Sequence, residues 1–259
     1  VAIAMDVIDQ VLLYREKESD EFKQILKTSF KESLSPMFFT FDNKYLYAAS
    51  NIGRDKSVFV KFDPATGKET EVLFENPNYD ISNASYSRKR KVLEGVSWMG
   101  HKETGRHYFD EEYKAMRENL AAKLPGYQFG ITSATKDEDR MIIRTFTDKS
   151  RGAYYFYDKN TDELTKIADI SPWLNEDEMN TMHCVTYQSR DGYTIEAYLT
   201  LPHGYTMETA KNLPVVVNPH GGPWDRDTWG FNPEAQFLAS RGYAVFQMNF
   251  RGSTGFGKT

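Results

Sequence analysis

Alternation of apolar and polar positions dominates the first two thirds of the chain. Runs such as Lys44-Tyr45-Leu46-Tyr47 and Tyr154-Tyr155-Phe156-Tyr157 combine a short period-two pattern with aromatic residues, which predicts short, half-buried β-strands. The stretches SVFVKFDPATGKETEVL (57–73) and GAYYFYDKNTDELTKI (152–167) repeat one another as strand, Asp, D-x-x-T turn and strand, with GRHYFDEEY (105–113) between them. The aspartates that close the aromatic strands, Asp63, Asp110 and Asp158, stand 47 and 48 residues apart. A period of that length with about four short strands per repeat is the pattern of a β-propeller blade. Each aspartate is expected to hold a hairpin turn by bonding to its own backbone, a structural role. Residues 9–29 predict another pair of strands, completing or preceding the blade that contains FFTFDNKYLYAAS. About three blades are visible where a ring takes ~4 to 8, so further blades are expected before residue 1.

The middle repeat changes period. DEEYKAMRENLAAKLPG (110–126) opens on an N-cap Asp110, carries acidic residues in its first turn, and ends at Pro-Gly. It spaces Tyr113, Met116, Leu120 and Leu124 along one face, which predicts an amphipathic helix whose apolar stripe packs against a blade or a neighbouring domain.

Near residue 175 the blade pattern stops at Pro172 and an acidic run, read as a connector. Two alternating strands then flank Asp191-Gly192, a hairpin dipeptide. Leu213 to Asn218 and Tyr243 to Phe250 read as buried strands. Between them Asn232-Pro233 opens a helix through Phe237 and Leu238 that Gly242 ends. Strand, long loop, helix and strand make a βαβ unit, the start of an α/β sheet.

Composition narrows the function classes. The 259 residues suffice for one large or two ordinary domains, and 32 Lys+Arg against 37 Asp+Glu give a net charge of −5, so no basic surface for nucleic acid is implied. The single cysteine, Cys184, excludes an internal disulfide and reads as a small buried hydrophobe; it fits a reducing, cytoplasmic compartment. No apolar run approaches the roughly 20 residues of a membrane helix, and no membrane partner, metal or cofactor is expected. The chain starts without Met or a signal-peptide layout and stops inside a motif, which suggests a piece of a longer protein.

Candidate chemistry lies in the loop NPHGGPW (218–224). Consecutive glycines after a strand free two backbone N–H groups and admit a substrate close to the main chain. In α/β hydrolases a loop in this place supplies one N–H of the oxyanion hole. Gly222 is the candidate donor, with His220, Gly221 and Pro223 shaping the loop. The competing reading is a plain tight turn, and the flanking strand, helix and upstream hairpin favour the oxyanion loop. His220 is expected to brace the loop through a ring nitrogen rather than act as a base.

The succession RDGYTIEAYLTLP, PHGGPW and FLASRGYAVFQMNFRGSTGFG after a propeller resembles the prolyl oligopeptidase family of serine peptidases, in particular its acylaminoacyl-peptidase and dipeptidyl-peptidase-like branch. The match is specific over 184–259 and looser over 1–175. The implied fold is a partial β-propeller of about three blades, all-β with one inserted helix, followed by the beginning of an α/β-hydrolase domain. Residues 1–176 would be the propeller's C-terminal blades and 177–259 the hydrolase domain's N-terminal part. The implied activity is acyl-enzyme hydrolysis of short peptides, the propeller excluding folded proteins. Carried over, Gly222 offers the oxyanion-hole N–H, and Asn249 to Ser253 lie beside the loop. The expected partners are short peptides and the remainder of its own hydrolase domain and propeller, with a homo-oligomer left open.

The family's nucleophile sits on a G-x-S-x-G elbow followed by Asp and His, and no G-x-S-x-G occurs in this sequence. Ser253 is not that serine, because Arg251 stands at the first glycine's place. The triad is therefore expected outside these residues, and the chain alone is expected to be inactive. An α/β-hydrolase esterase, a non-enzymatic propeller module and a nucleotide-binding protein remain alternatives. The last rests on Gly252 to Thr259, which spells the phosphate loop G-x-x-x-x-G-K-[ST].

Overall fold

Hairpin after hairpin follows from the short alternating runs. In the computed structural model, which describes residues 1–222 and 224–258, they form antiparallel meanders in which each strand pairs with its neighbours in sequence. One compact unit comprises residues 1–100, 104–110 and those from Thr254 onward. Its first sheet is β1 (Ala2–Asp6), β2 (Asp9–Tyr14) and β3 (Lys23–Thr28). The second is β4 (Leu34–Phe39), β5 (Leu46–Ser50), β6 (Val58–Asp63) and β7 (Lys68–Phe74). The third is β8 (Ile81–Ser87), β9 (Val92–Met99) and β10 (Thr104–Tyr108).

Strand β6 shows why its sequence does not alternate cleanly. Val58, Val60 and Phe62 join Leu12, Leu34 and Leu46 in one core cluster, while Phe59 turns the other way to Ile81 and Val96. Both faces are buried, so both need apolar residues.

The turn aspartates divide. Asp63 accepts from the Ala65 N–H at 2.9 Å and the Thr66 hydroxyl at 2.8 Å, and Asp158 accepts from the Asn160 N–H at 2.9 Å. These bonds favour the charged form, so both carboxyls are held below the ordinary range, Asp63 chiefly by Thr66 and Asp158 by the Asn160 amide. Asp110 stands at no hairpin. The chain leaves β10 for a helix there, and the two Asp110 oxygens accept from the Arg90 guanidinium at 2.9 and 2.8 Å.

The second unit comprises 101–103 and 111–253. It opens with α1 (Glu111–Lys123), then the four-stranded meander β11 (Gln128–Ala134), β12 (Arg140–Phe146), β13 (Ala153–Asp158) and β14 (Glu163–Asp169). The helix lays Met116, Leu120 and Leu124 against Met141, Ile143 and Tyr157, the expected packing of its stripe on a blade-like sheet. Arg117 is buried on the same helix, its guanidinium 4.4 Å from the Phe129 ring centre and bonded to the Phe129 carbonyl at 3.3 Å.

A connector with one 3₁₀ turn at Glu176–Glu178 leads into a mixed sheet of order β15-β16-β18-β17. Its strands are β15 (Met182–Gln188), β16 (Thr194–Thr200), β17 (Val215–Val217) and β18 (Ala244–Met248). β15 and β16 turn at Asp191-Gly192, where Gly192 takes φ +86°. β17 runs parallel to β18, with α2 (Pro233–Ser240) between them, which completes the βαβ unit. Asn232 caps α2 by accepting from the Ala235 N–H at 3.0 Å.

Strand β17 corrects one expectation. The sequence predicts a buried strand, yet Val215 is 56% and Val217 60% exposed. The strand is at the sheet edge and α2 packs over β18 and β16, so its valines are left uncovered among the described residues. No helix is long and apolar enough to cross a membrane among the described residues.

Candidate active-site loop

Strand β17 ends where Asn218 donates its N–H to the Phe246 carbonyl at 2.8 Å, and the loop leaves the sheet from that point. His220 follows, and both its ring nitrogens are engaged. Nδ1 lies 2.7 Å from the Gly221 carbonyl, Nε2 lies 2.8 Å from the Ser253 hydroxyl, and the ring stacks on Phe250 at 4.3 Å with 14° between planes. The segment after β18 thus lies beside the loop. Gly221 and Gly222 are exposed, and Gly222 takes φ +132°, a region that a residue with a Cβ rarely enters. Neither glycine N–H has a hydrogen-bond partner among the described residues. Pro223, the fourth loop residue expected to matter, lies outside the described residues.

Polar residues on β18 and just beyond it hold the far end of the loop. The Asp227 N–H donates to Asn249 Oδ1 at 2.8 Å and the Asn249 amide donates to the Asp227 carbonyl at 3.1 Å, a reciprocal clamp from a side chain only 4% exposed. The Asp227 carboxyl accepts from Gln247 at 2.8 Å, while its second oxygen is buried without a hydrogen bond among the described residues. Desolvation outweighs that bond and the nearby His220, so burial pushes the Asp227 carboxyl above its ordinary range. Beside it the buried Arg226 guanidinium lies 3.8 Å from the Glu196 carboxylate. Sequence reasoning missed this clamp. Its signal was Gln247 and Asn249 alternating with apolar residues in AVFQMNF, polar groups that a buried strand keeps only when they are satisfied.

A stability prediction follows from the raised carboxyl. The folded state holds the Asp227 proton more tightly than the unfolded state, so the stability present below the ordinary carboxyl pKa, about 3.9, is lost as pH rises through the folded value. Asp227→Asn keeps an oxygen for Gln247 and has no charge to bury. It is expected to melt higher than the parent at pH 7, with the advantage vanishing toward pH ~3.5. Melting curves of both proteins across that range test it; a variant less stable than the parent at pH 7 would refute it.

The stretch that spells a phosphate loop is otherwise occupied. The N–H of Gly257 donates to the Asp80 carboxylate at 3.0 Å, and the N–H of Lys258 donates to the Asp55 carboxylate at 2.9 Å. The Lys258 ammonium meets Glu32 at 2.8 Å. A phosphate cradle needs those N–H groups and that lysine for an anion; here three carboxylates take them. Thr259, its last residue, lies outside the described residues. Cys184 offers no nucleophile, since burial pushes its thiol up to about 11. No group of three His, Cys, Asp or Glu side chains that could hold a metal occurs among the described residues.

Comparison with known proteins bears on this geometry. A scan against protein-family models finds no match. The chain is 33% identical over 241 residues to dipeptidyl aminopeptidase BIII of Pseudoxanthomonas mexicana, covering 92% of this chain and 34% of that protein. It is 26% identical over 264 residues to dipeptidyl peptidase family member 6 of Caenorhabditis elegans, covering 94% of this chain and 36% of that protein. A shorter match, 39% over 67 residues, joins 26% of this chain to 9% of the acylamino-acid-releasing enzyme of Sus scrofa. The chain therefore spans about a third of the length of the two relatives that cover most of it. Among solved structures a puromycin hydrolase S511A mutant complexed with PGG superposes with a TM-score of 0.69 at 18% identity, covering 98% of this chain and 40% of the other. One from a study of two prolyl endopeptidases gives 0.68 at 14% identity, covering 96% and 36%. At that identity the structural likeness speaks to fold alone.

Proposed function

Because this chain belongs to the prolyl oligopeptidase family over the stretch it spans, we propose that it forms part of a serine-type peptidase. The enzyme removes dipeptides or acylated amino acids from short peptides through an acyl-enzyme. In this reading residues 1–176 contribute propeller blades that screen substrates by size, and 177–259 begin the hydrolase domain. Gly222 supplies an oxyanion-hole N–H, with Gly221, His220 and Pro223 shaping the loop. The serine, aspartate and histidine of the triad come from outside these 259 residues.

The observation that carries the reading is the exposed Gly221-Gly222 pair, its N–H groups bonded to nothing among the described residues, at the end of a strand parallel to β18. Donors fixed in advance stabilise the charge that builds on an attacked carbonyl oxygen because they need no reorganisation during the reaction. An esterase of the same α/β type would use the same loop. The blade-like meanders and the dipeptidyl peptidase relatives favour a peptidase.

The test is turnover of dipeptidyl and acetyl-aminoacyl p-nitroanilides by the full-length protein, together with its inactivation by a serine-directed phosphonate. Ester hydrolysis without amide hydrolysis would favour the esterase. The purified 259-residue chain is expected to turn over none of these substrates, and ATP or GTP is expected to leave its melting temperature unchanged. Turnover by that chain, or a nucleotide-dependent shift, would count against the reading.

A further inference from the structure

Ser253 belongs to the segment that spells a phosphate loop and to no triad, yet it is 7% exposed with its hydroxyl 2.8 Å from His220 Nε2. A carbonyl oxygen can only accept, so the contact between His220 Nδ1 and the Gly221 carbonyl places the ring proton on Nδ1. In the neutral imidazole Nε2 is then the acceptor, and the Ser253 hydroxyl donates to it. The Gly221 carbonyl thereby sets the tautomer, Ser253 holds the ring in place by donating to Nε2, and Phe250 fixes the plane of the ring by stacking on it.

The peptide unit carries this orientation to the candidate oxyanion donor. No peptide bond among the described residues is cis, and in a planar trans peptide the carbonyl of one residue and the N–H of the next point in opposite directions. With the Gly221 carbonyl drawn to His220 Nδ1, the Gly222 N–H is turned away from the imidazole.

We propose that Ser253 is a positioning residue of the peptidase, acting through the orientation of the His220 ring to aim the Gly222 N–H at the developing oxyanion. The proposal rests on the oxyanion-loop reading of Gly222. It also gives the FRGSTGFG segment a function without phosphate: its serine anchors the imidazole that braces the loop.

The test uses the full-length protein, a panel of dipeptidyl p-nitroanilides, and the dipeptide aldehyde matching the best of them, since the aldehyde forms a tetrahedral oxyanion. Ser253→Ala is expected to lower kcat by about tenfold, less than loss of a donor outright, and to weaken the aldehyde by a similar factor. KM is expected to stay within about twofold, as for an interaction made only in the transition state. Ser253→Thr keeps the hydroxyl and restores both. The imidazole nitrogen NMR shifts of His220 are expected to report an Nδ1–H tautomer with a hydrogen-bonded Nε2 in the parent and loss of the hydrogen-bond shift at Nε2 in Ser253→Ala, a readout that needs no turnover. Unchanged kcat and aldehyde affinity in Ser253→Ala overturn the proposal while leaving the oxyanion reading standing. A joint loss of kcat, KM and melting temperature that threonine does not rescue makes the serine merely structural and overturns it too. A full-length parent that hydrolyses no peptide substrate overturns the oxyanion reading and the proposal together.

Discussion

Replacing Gln236 by alanine is expected to destabilise the second unit by about 3 kcal/mol or more, from several buried polar groups each left without a partner. Gln236 lies on the buried side of α2 and is 6% exposed, and both polar atoms of its side chain are hydrogen-bonded. Its Oε1 accepts from the Asn180 backbone N–H at 2.9 Å and side-chain amide at 3.0 Å. Its Nε2 donates to the carbonyls of Asp148 at 2.9 Å and Asn180 at 2.8 Å. One side chain thus ties the connector, the turn between β12 and β13, and the helix of the hydrolase-like sheet. Gln236→Leu keeps most of the volume and removes the bonds, so it separates the polar contribution from a cavity. Denaturant midpoints followed by tryptophan fluorescence check both variants. A leucine variant as stable as the parent would sink the argument.

Gly222→Ala is expected to lower kcat of the full-length protein by about 10² to 10³, the cost of losing an oxyanion donor, with little change in KM. The backbone there, at φ +132°, is open to glycine, and strain of about 1–3 kcal/mol meets any Cβ held in such a region. A Cβ would also approach the Trp224 backbone nitrogen to 2.8 Å and that of Asp225 to 3.3 Å. Both neighbours are main chain and cannot swing aside, so the loop shifts and the Gly222 N–H loses its aim. Steady-state kinetics on a p-nitroanilide substrate, with circular dichroism to verify folding, measure this. A folded Gly222→Ala enzyme with the parent's kcat would remove Gly222 from the oxyanion role.

Local chemistry was legible in the sequence; its long-range partners were not. The D-x-x-T turns announced Asp63 and Asp158, because an Asx turn is closed within four residues. Asn232-Pro233 and Gly242 marked the ends of α2 for the same reason. The Met116, Leu120 and Leu124 stripe fixed which face of α1 is buried but not the residues that meet it, which come from strands 17 to 41 positions away. Asp110 shared the 47-residue spacing and still went to Arg90, since spacing does not show where the repeat gives way to a helix. In the candidate loop the glycines and His220 stood out by type. The clamp from Asn249 and Gln247 depends on a contact across 20 to 22 residues that a strand pattern leaves open. The buried reading of β17 failed because β-branched residues signal strand preference, whereas burial depends on what covers the strand.

That uncovered strand has a practical bearing on handling the polypeptide. Val215 and Val217 stand exposed on a short edge strand with one row of backbone groups unpaired within its sheet. Such an edge is a template for another chain. The 259-residue polypeptide made alone is accordingly expected to self-associate with rising concentration. Lysine at Val215 or Val217 would improve its colloidal behaviour without touching the clamp at Asn249, because a charge on an edge strand discourages pairing between copies.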